Sequence, residues 1–319
     1  MKTGSNPGFL VFPPNVDFYV ILSAMRLGTI DLRFQDTPEL IAAYLLESGG
    51  DLALIETGPG STLPRLLDEL AARNIRHQDV RHVFVTHVHL DHAGAAGWWA
   101  KQGANVYVHA RGARHLIDPT RLWDGARQIY GDQMEPLWGS IEPAPADRVH
   151  TLADGDCVQV GDVKVQAWDT PGHAYHHLAF SCENACFTGD VAGVRLPDCQ
   201  FIGVAGAPPQ FDLAAYLASV DRLREAGFDK LYLTHFGEIT NPTEHLSQYH
   251  DRLEEDSAFV REVLLKGSDP RQLYPVHCEI LAKLAGVSEA DWERYEKVNA
   301  SIMSADGIAM GIKAQMTKG

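Results

Sequence analysis

Apolar and polar residues follow two different patterns along the chain. Up to about residue 240, short apolar or alternating runs end at glycine, proline or charged residues, which is typical of buried β-strands joined by turns. These runs cover residues 18–22, 40–46, 52–56, 83–86, 105–110, 163–168, 185–189 and 230–234. Helical spacing of apolar residues interrupts the runs at residues 63–72 and 212–226. The pattern therefore predicts a region of mixed strands and helices.

The two ends of the chain differ from each other. The first 35 residues are predicted to form short strands broken at Pro13-Pro14, as a hairpin packed on the sheet. Beyond Gly237, residues 245–265 have helical spacing, and Pro270, Pro275 and Gly286 are expected to separate further helices. We therefore predict a first domain at residues 1–240 and a helical extension at residues 241–319.

A cluster of metal-binding side chains follows the apolar run 83–86. His87 and His89 are two residues apart, so an extended backbone projects both the same way, and Asp91 and His92 follow where the chain turns into a helix. Imidazole nitrogen and carboxylate oxygen suit zinc, manganese or iron, and no cysteine lies nearby to form a closed structural zinc site. The spacing therefore indicates a catalytic metal centre rather than chance clustering.

Three further polar residues stand at the ends of predicted strands. His173 follows the alternating run 163–168, Asp190 ends the run 185–189, and His235 follows residues 230–234. Taken singly, each is explained equally well as a turn or capping residue. Four strand ends that each offer a ligand indicate one shared site.

These residues resemble the signature of the metallo-β-lactamase superfamily, His-x-His-x-Asp-His followed by a His, an Asp and a His. The resemblance covers residues 52 to 237 and implies an α+β fold, a four-layer αββα sandwich, with residues 1–240 as the catalytic domain. It implies one metal ion held by His87, His89 and His173, a second held by Asp91, His92 and His235, and Asp190 bridging them. Glu56 stands where the family more often has Asp, and the sequences around His173 and Asp190 look most like the glyoxalase II branch.

The resemblance also implies a mechanism and a substrate class. Two divalent ions, zinc first and iron or manganese as alternatives, would generate a metal-bound hydroxide, and Asp91 would accept or relay its proton. We expect hydrolysis of a small ester-like substrate, thioester or lactone first and phosphoester second. The main alternative is a mononuclear iron persulfide dioxygenase, which uses a subset of these ligands.

Three residues are predicted to contact the substrate. Arg195, five residues past Asp190, has a guanidinium suited to a carboxylate or phosphate. Arg111 lies just past the end of the run 105–110, and Trp138 lies in a predicted loop at residues 131–145. Surface exposure explains Arg111 equally well, and ordinary core packing explains Trp138.

Two other motifs are given structural interpretations. The glycine-rich residues 57–62 lack the Lys of a phosphate-binding loop, so we predict a strand-to-helix turn. Arg294 and Lys297 superficially resemble the basic residues that hold glutathione in glyoxalase II. Glu293 and Glu296 alternate with them, which favours a solvated helix face.

Composition narrows the range of partners. The 319-residue chain has 27 Lys and Arg against 42 Asp and Glu, a net charge of −15, and has no basic run, so we predict a small-molecule substrate and no nucleic-acid binding. Five irregularly spaced cysteines, with Cys182 and Cys186 interpreted as core thiols, favour a reducing, cytoplasmic location. No stretch predicts a signal peptide or membrane contact, and the oligomeric state stays open, with a homodimer as one option.

Overall fold

The computed structural model describes residues 20–22 and 25–317. The strands are β1 Val20–Leu22, β2 Met25–Asp31, β3 Ala42–Ser48, β4 Asp51–Ile55, β5 Val80–Phe84, β6 Asn105–His109, β7 Val149–Leu152, β8 Cys157–Val160, β9 Val163–Asp169, β10 Leu178–Cys182, β11 Ala185–Gly189, β12 Lys230–Leu233 and β13 Gly237–Ile239. The helices are α1 Leu63–Ala72, α2 Leu90–Ala93, α3 Ala96–Lys101, α4 Ala110–Ile117, α5 Thr120–Tyr130, α6 Met134–Trp138, α7 Leu213–Ala226, α8 Pro242–Leu265, α9 Pro270–Leu284, α10 Glu289–Val298 and α11 Ser301–Met316.

The strands form two sheets. The first sheet has the order β1-β2-β3-β4-β5-β6-β7, antiparallel from β1 to β4 and parallel from β4 to β7. The second has the order β13-β12-β11-β10-β9-β8, in which only the pair β11 and β12 is parallel. Helices connect the parallel neighbours, because parallel strands need a crossover that returns the chain to the same edge. The carboxyl ends of β4, β5 and β6 therefore point the same way.

Strand β3 shows how the layers are built. Ala42, Tyr44 and Leu46 pack in the apolar layer between the two sheets, whereas Ala43 and Leu45 pack against the helices. A strand that is buried on both faces needs apolar residues throughout, which explains the continuous run in the sequence. The predicted α+β fold, a four-layer αββα sandwich with C-terminal helices, is confirmed.

The C-terminal helices pack onto the sandwich. The Tyr249 hydroxyl of α8 donates a hydrogen bond to the Tyr216 hydroxyl of α7 at 2.8 Å, and the Tyr295 hydroxyl of α10 donates to the Phe201 carbonyl at 2.8 Å. All four helices α8 to α11 contribute residues to the apolar core that α7 also joins. The division into residues 1–240 and 241–319 falls at the start of α8 and stays a prediction.

Several elements of the structure differ from those predicted. Residues 20–22 form β1, which pairs with β2, while Pro13-Pro14 and residues 18 and 19 lie outside the described residues. The predicted loop at 131–145 contains helix α6. Pro275 does not separate two helices but lies inside α9, where its ring removes only one backbone hydrogen bond. The turn at 57–62 leads from β4 into α1 as predicted.

Candidate metal centre

Seven side chains from five segments meet at one end of the sandwich. They come from the turn after β5, the short helix α2, the loop between β9 and β10, and the ends of β11 and β12; the residues are His87, His89, Asp91, His92, His173, Asp190 and His235. Each of these segments follows a buried strand or the turn that leaves one. The two sheets therefore fix where each strand ends, and the turns that follow direct polar side chains toward a common point.

The first group consists of three histidines. His89 Nδ1 lies 2.9 Å from His87 Nε2 and 2.9 Å from His173 Nε2. Zinc holds imidazole nitrogens at about 2.0–2.1 Å, so neighbouring nitrogens in a tetrahedral site are about 3.4 Å apart. Ring nitrogens that point at one another at nearly this spacing fit a shared ion.

The second group lies beside the first. His235 Nε2 is 3.3 Å from His92 Nε2 and 3.4 Å from Asp91 Oδ2. Asp190 stands between the groups, with Oδ2 3.3 Å from His173 Nε2 and Oδ1 3.1 Å from His92 Nε2. Its Oδ1 is buried and makes no hydrogen bond of acceptable geometry despite these neighbours. A buried carboxylate oxygen without a hydrogen bond fits a cation ligand.

Outer contacts fix the direction of the rings. His173 Nδ1 faces the Ala205 carbonyl at 2.8 Å, and His235 Nδ1 faces the Leu40 carbonyl at 3.0 Å. His92 Nδ1 faces Glu56 Oε1 at 3.0 Å. When the Nδ1 hydrogen is donated outward in this way, the Nε2 lone pair is free to face the centre of the site.

Three residues outside the ligand set hold it in place. Glu56 is fully buried and contacts His92, which explains why an acidic residue occurs at this position. His177 Nε2 accepts a hydrogen bond from the backbone N–H of Asp190 at 3.2 Å, so His177 supports this ligand. The Tyr216 hydroxyl donates to the Asp190 carbonyl at 2.7 Å. Sequence reasoning missed Tyr216, because nothing local distinguishes it from a core tyrosine.

The histidines of the two groups have pKa values shifted in opposite directions. Burial, with the nearby charge of His173, lowers the pKa of His89 to about 3. Burial also lowers the pKa of His235, but the charge of Asp190 and hydrogen bonds that His235 donates to the carboxylates of Asp190 and Asp91 outweigh it and raise the pKa to about 9. Asp190 itself keeps a pKa well below the usual range, because the charge of His92 overcomes burial. Neutral imidazole and ionised carboxylate are the forms that bind metal.

A cavity of about 550 Å³ opens above the centre. Its floor contains His89, Asp91, His173, Asp190 and His235, and its wall includes Phe34, Leu122, Ile129, Tyr130, Leu137, Trp138, Pro208, Val298 and Met303. The wall is mostly apolar and includes the loop between β11 and α7 and the C-terminal helices. Such a cavity suits a small molecule with an apolar portion.

The structure separates the three residues predicted to contact substrate. Trp138 lines the cavity and stacks on Phe34, with ring centroids 5.3 Å apart. Arg195 is not part of the wall, because its Nε donates to the Cys199 carbonyl at 2.9 Å. Arg111 is exposed outside the wall, with its guanidinium carbon 5.8 Å from the centroid of the Tyr175 ring. The predictions for Arg195 and Arg111 therefore do not fit this cavity.

The two basic residues of α10 have different surroundings. Arg294 donates to Asp291 at 2.8 Å and to Glu39 at 3.0 Å, as expected of a surface ion-pair residue. Lys297 lies in the cavity wall and donates to the Thr37 hydroxyl at 3.1 Å. Lys297 is exposed, as expected on a solvated helix face, and it also lines the cavity.

The comparisons with known proteins agree with this site. Residues 36–235 match the model of the metallo-β-lactamase superfamily, so the chain belongs to that superfamily. The chain is 25% identical over 219 residues to a metallo-β-lactamase fold-containing protein of Sulfurisphaera tokodaii. The aligned region covers 66% of this chain and 79% of that protein. The resemblance inferred from the histidine and aspartate spacing is thus confirmed.

Two other relatives carry more specific names. An atrochrysone carboxyl ACP thioesterase of Aspergillus chevalieri is 28% identical over 213 residues, 66% of this chain and 55% of the relative. A hydroxyacylglutathione hydrolase of Hahella chejuensis is 27% identical over 121 residues, 37% of this chain and 44% of the relative. The chain thus matches about half the length of each.

Solved structures extend the likeness to nearly the whole chain. A metallo-β-lactamase family protein of Thermus thermophilus superposes with a TM-score of 0.65 at 21% identity, covering 92% of this chain and 95% of that one. At this identity the likeness shows the fold alone. Within the described residues, no helix has both the length and the apolar character to cross a membrane. All five cysteines are free thiols, and Cys182 and Cys186 are buried as predicted.

Proposed function

We propose that this protein is a dinuclear-metal hydrolase that cleaves a small ester-like substrate, thioesters and lactones first and phosphoesters second. The observation that carries the proposal is the convergence of seven nitrogen and carboxylate ligands on one cavity floor. The names of the thioesterase and the hydroxyacylglutathione hydrolase support an ester-like substrate, and the latter also supports a glyoxalase II-like activity.

The donor set divides into two positions. In this proposal His87, His89 and His173 hold one ion, Asp91, His92 and His235 hold the other, and Asp190 contacts both groups. Divalent ions bound there, zinc first and iron or manganese next, supply Lewis acidity that polarises an acyl or phosphoryl oxygen and makes water more acidic. The nitrogen and oxygen donors, with no thiolate among them, fit such ions.

Asp91 has the position of a proton acceptor. Its side chain is 20% exposed and lines the cavity. Burial raises the pKa of Asp91, but the charges of and hydrogen bonds from His92 and His235 outweigh burial and hold the pKa well below its usual range. The low pKa keeps this carboxylate ionised and makes it a weak base, so in this proposal Asp91 passes the proton of the attacking water to the leaving group rather than keeping it.

The cavity wall contributes selectivity. Ile129, Leu122 and Met303 contribute apolar surface to the cavity wall. Burying an apolar substrate group the size of a leucine side chain there contributes about 1.5–3 kcal/mol to the binding free energy. We therefore expect substrates with an apolar acyl group to react with a higher kcat/KM than acetyl analogues. Polar polymers have no corresponding surface in this cavity.

The proposal is tested by comparing substrate classes on one protein preparation. Elemental analysis is followed by measurement of kcat/KM for thioester, lactone and phosphoester substrates, with His89→Ala as the variant that lacks one ligand. His150→Ala serves as the matched control, because His150 is exposed on β7 and bonds Asn105 rather than the site. We expect hydrolysis that is lost in His89→Ala and kept in His150→Ala.

The same preparation also tests the alternative that the protein is a persulfide dioxygenase. Oxygen consumption is measured with a persulfide substrate under the same conditions. If it depends on His89 while no hydrolysis does, the protein is a dioxygenase and the hydrolase proposal is wrong.

A further inference from the structure

The charge of the cavity wall is opposite in sign to that of the whole protein. The chain has 42 acidic against 27 basic residues, yet within the described residues the wall carries Arg114, Arg121 and Lys297, and its only carboxylates are Asp91 and Asp190 on the floor. Both of those aspartates belong to the ligand cluster. The rest of the wall therefore presents positive charge without a balancing acid.

Arg114 on α4 and Arg121 on α5 both line the cavity. Arg114 Nε lies 3.2 Å from His115 Nε2, and partial burial together with the charges of both arginines lowers the pKa of His115. His115 also lines the cavity, so this imidazole and the two arginines contribute to the same cavity wall.

One carboxylate, that of Asp118, lies near this pair in the part of the chain that the structure describes, and hydrogen bonds from Thr120 together with the charge of Arg121 lower its pKa. The nearest acidic residue in the segment, Asp118, accepts from the Thr120 hydroxyl at 2.7 Å and from the Thr120 backbone N–H at 3.2 Å. Neither arginine forms an ion pair among the described residues, whereas Arg76, Arg222 and Arg294 all do. Two unpaired guanidinium groups beside an apolar wall favour an anionic ligand.

We propose that Arg114 and Arg121 form a subsite for an anionic group, carboxylate or phosphate, on a substrate whose apolar part packs against Leu122, Ile129 and Trp138. The identity of the ligand as a substrate rests on the proposed hydrolase function. A guanidinium group holds such an oxyanion with two parallel hydrogen bonds, which fixes orientation as well as affinity. Arg114 and Arg121 are thus specificity-determining residues that do not take part in the bond cleavage.

The first experiment compares leaving groups that differ in charge. Three hexanoyl thioesters are compared, those of N-acetylcysteamine, 3-mercaptopropionate and coenzyme A, which offer no anion, a carboxylate and phosphates. In Arg114→Ala/Arg121→Ala we expect KM to rise about tenfold for an anionic thioester, with kcat within about twofold, because charge-assisted hydrogen bonds are lost from binding. The neutral thioester is expected to keep its KM. Which anionic thioester responds identifies the group that is bound.

The control is Arg127→Ala. Arg127 is exposed on the same helix as Arg121 but lies outside the cavity wall, so its replacement removes one positive charge from α5, as Arg121→Ala does, without touching the subsite. We expect all three thioesters to keep their KM in this variant. A similar rise in Arg127→Ala, or an equal change for charged and neutral thioesters in the double variant, would overturn the proposal.

A binding measurement tests the anionic subsite independently of the hydrolase proposal. The fluorescent probe 8-anilinonaphthalene-1-sulfonate carries an apolar body and an anion, and N-phenyl-1-naphthylamine is its uncharged counterpart. We expect the Kd of the sulfonate to rise about tenfold in the double variant and to weaken with salt, while the neutral probe is unaffected. That result without any hydrolysis would retain the subsite and reject the hydrolase, whereas an unchanged sulfonate Kd would reject the subsite.

Discussion

Replacing Glu56 with glutamine tests the contacts that support the metal centre. Glu56 Oε1 faces His92 Nδ1 at 3.0 Å and accepts from the Thr234 hydroxyl at 3.3 Å, and it also accepts the Thr86 hydroxyl. Glu56 Oε2 accepts the backbone N–H of Thr86 at 3.3 Å. Glutamine keeps the shape of the side chain but removes its charge and converts one oxygen to an NH₂ group.

The contacts of Glu56 determine how much stability and metal affinity the glutamine variant is expected to lose. The amide oxygen is best placed at the Oε1 position, where it keeps three neighbours, so the NH₂ group faces the Thr86 N–H and leaves a buried donor unpaired. That costs about 1–3 kcal/mol of unfolding free energy. The neutral amide also holds His92 less firmly, and losing such a supporting partner weakens metal affinity about 10–100-fold, which is about 1.4–2.8 kcal/mol.

Two measurements check these values. Competition with a chelator at fixed pH gives metal affinity, and denaturant unfolding of metal-free protein gives stability. Glu69→Gln is the matched control, because Glu69 on α1 pairs with Arg65 and Arg73, neither of which belongs to the ligand set. Glu56→Asp keeps the charge and is expected to recover part of the metal affinity. Metal affinity within about twofold of the original protein in Glu56→Gln would refute the supporting role of Glu56.

Three other predictions concern the same centre and the surface. Elemental analysis is expected to find about two transition-metal ions per chain, falling in Asp190→Asn because an amide cannot bridge as an anion; one ion in fully active protein, or unchanged content in the variant, would contradict the dinuclear proposal. Tyr216→Phe is expected to lower unfolding free energy by about 1–3 kcal/mol, because the Asp190 carbonyl loses a buried donor; an unchanged denaturation midpoint would contradict this. With a net charge of −15, a gel-shift assay at about 150 mM salt is expected to show no nucleic-acid binding, and tight salt-sensitive binding would contradict it.

The sequence alone determined the positions of the candidate ligands and much of the secondary structure. Helix α1 was predicted with the bounds that the structure has, and α7 to within one residue at its start. His87 and His89 could be predicted because two histidines at this spacing directly after an apolar strand are a local feature of the sequence. The strand-end positions of His173, Asp190 and His235 are also local features, since apolar runs and turn residues define where a strand stops.

Only the tertiary structure decided which other residues reach the cavity. Arg195 is adjacent in sequence to Val194, which lines the wall, yet its guanidinium turns to the Cys199 carbonyl. Lys297 and Met303 lie more than 60 residues past His235 in the sequence and still form part of the same wall. Side-chain direction and long-range packing depend on contacts between distant segments, and a linear pattern of apolar and polar residues records only the local part of that information.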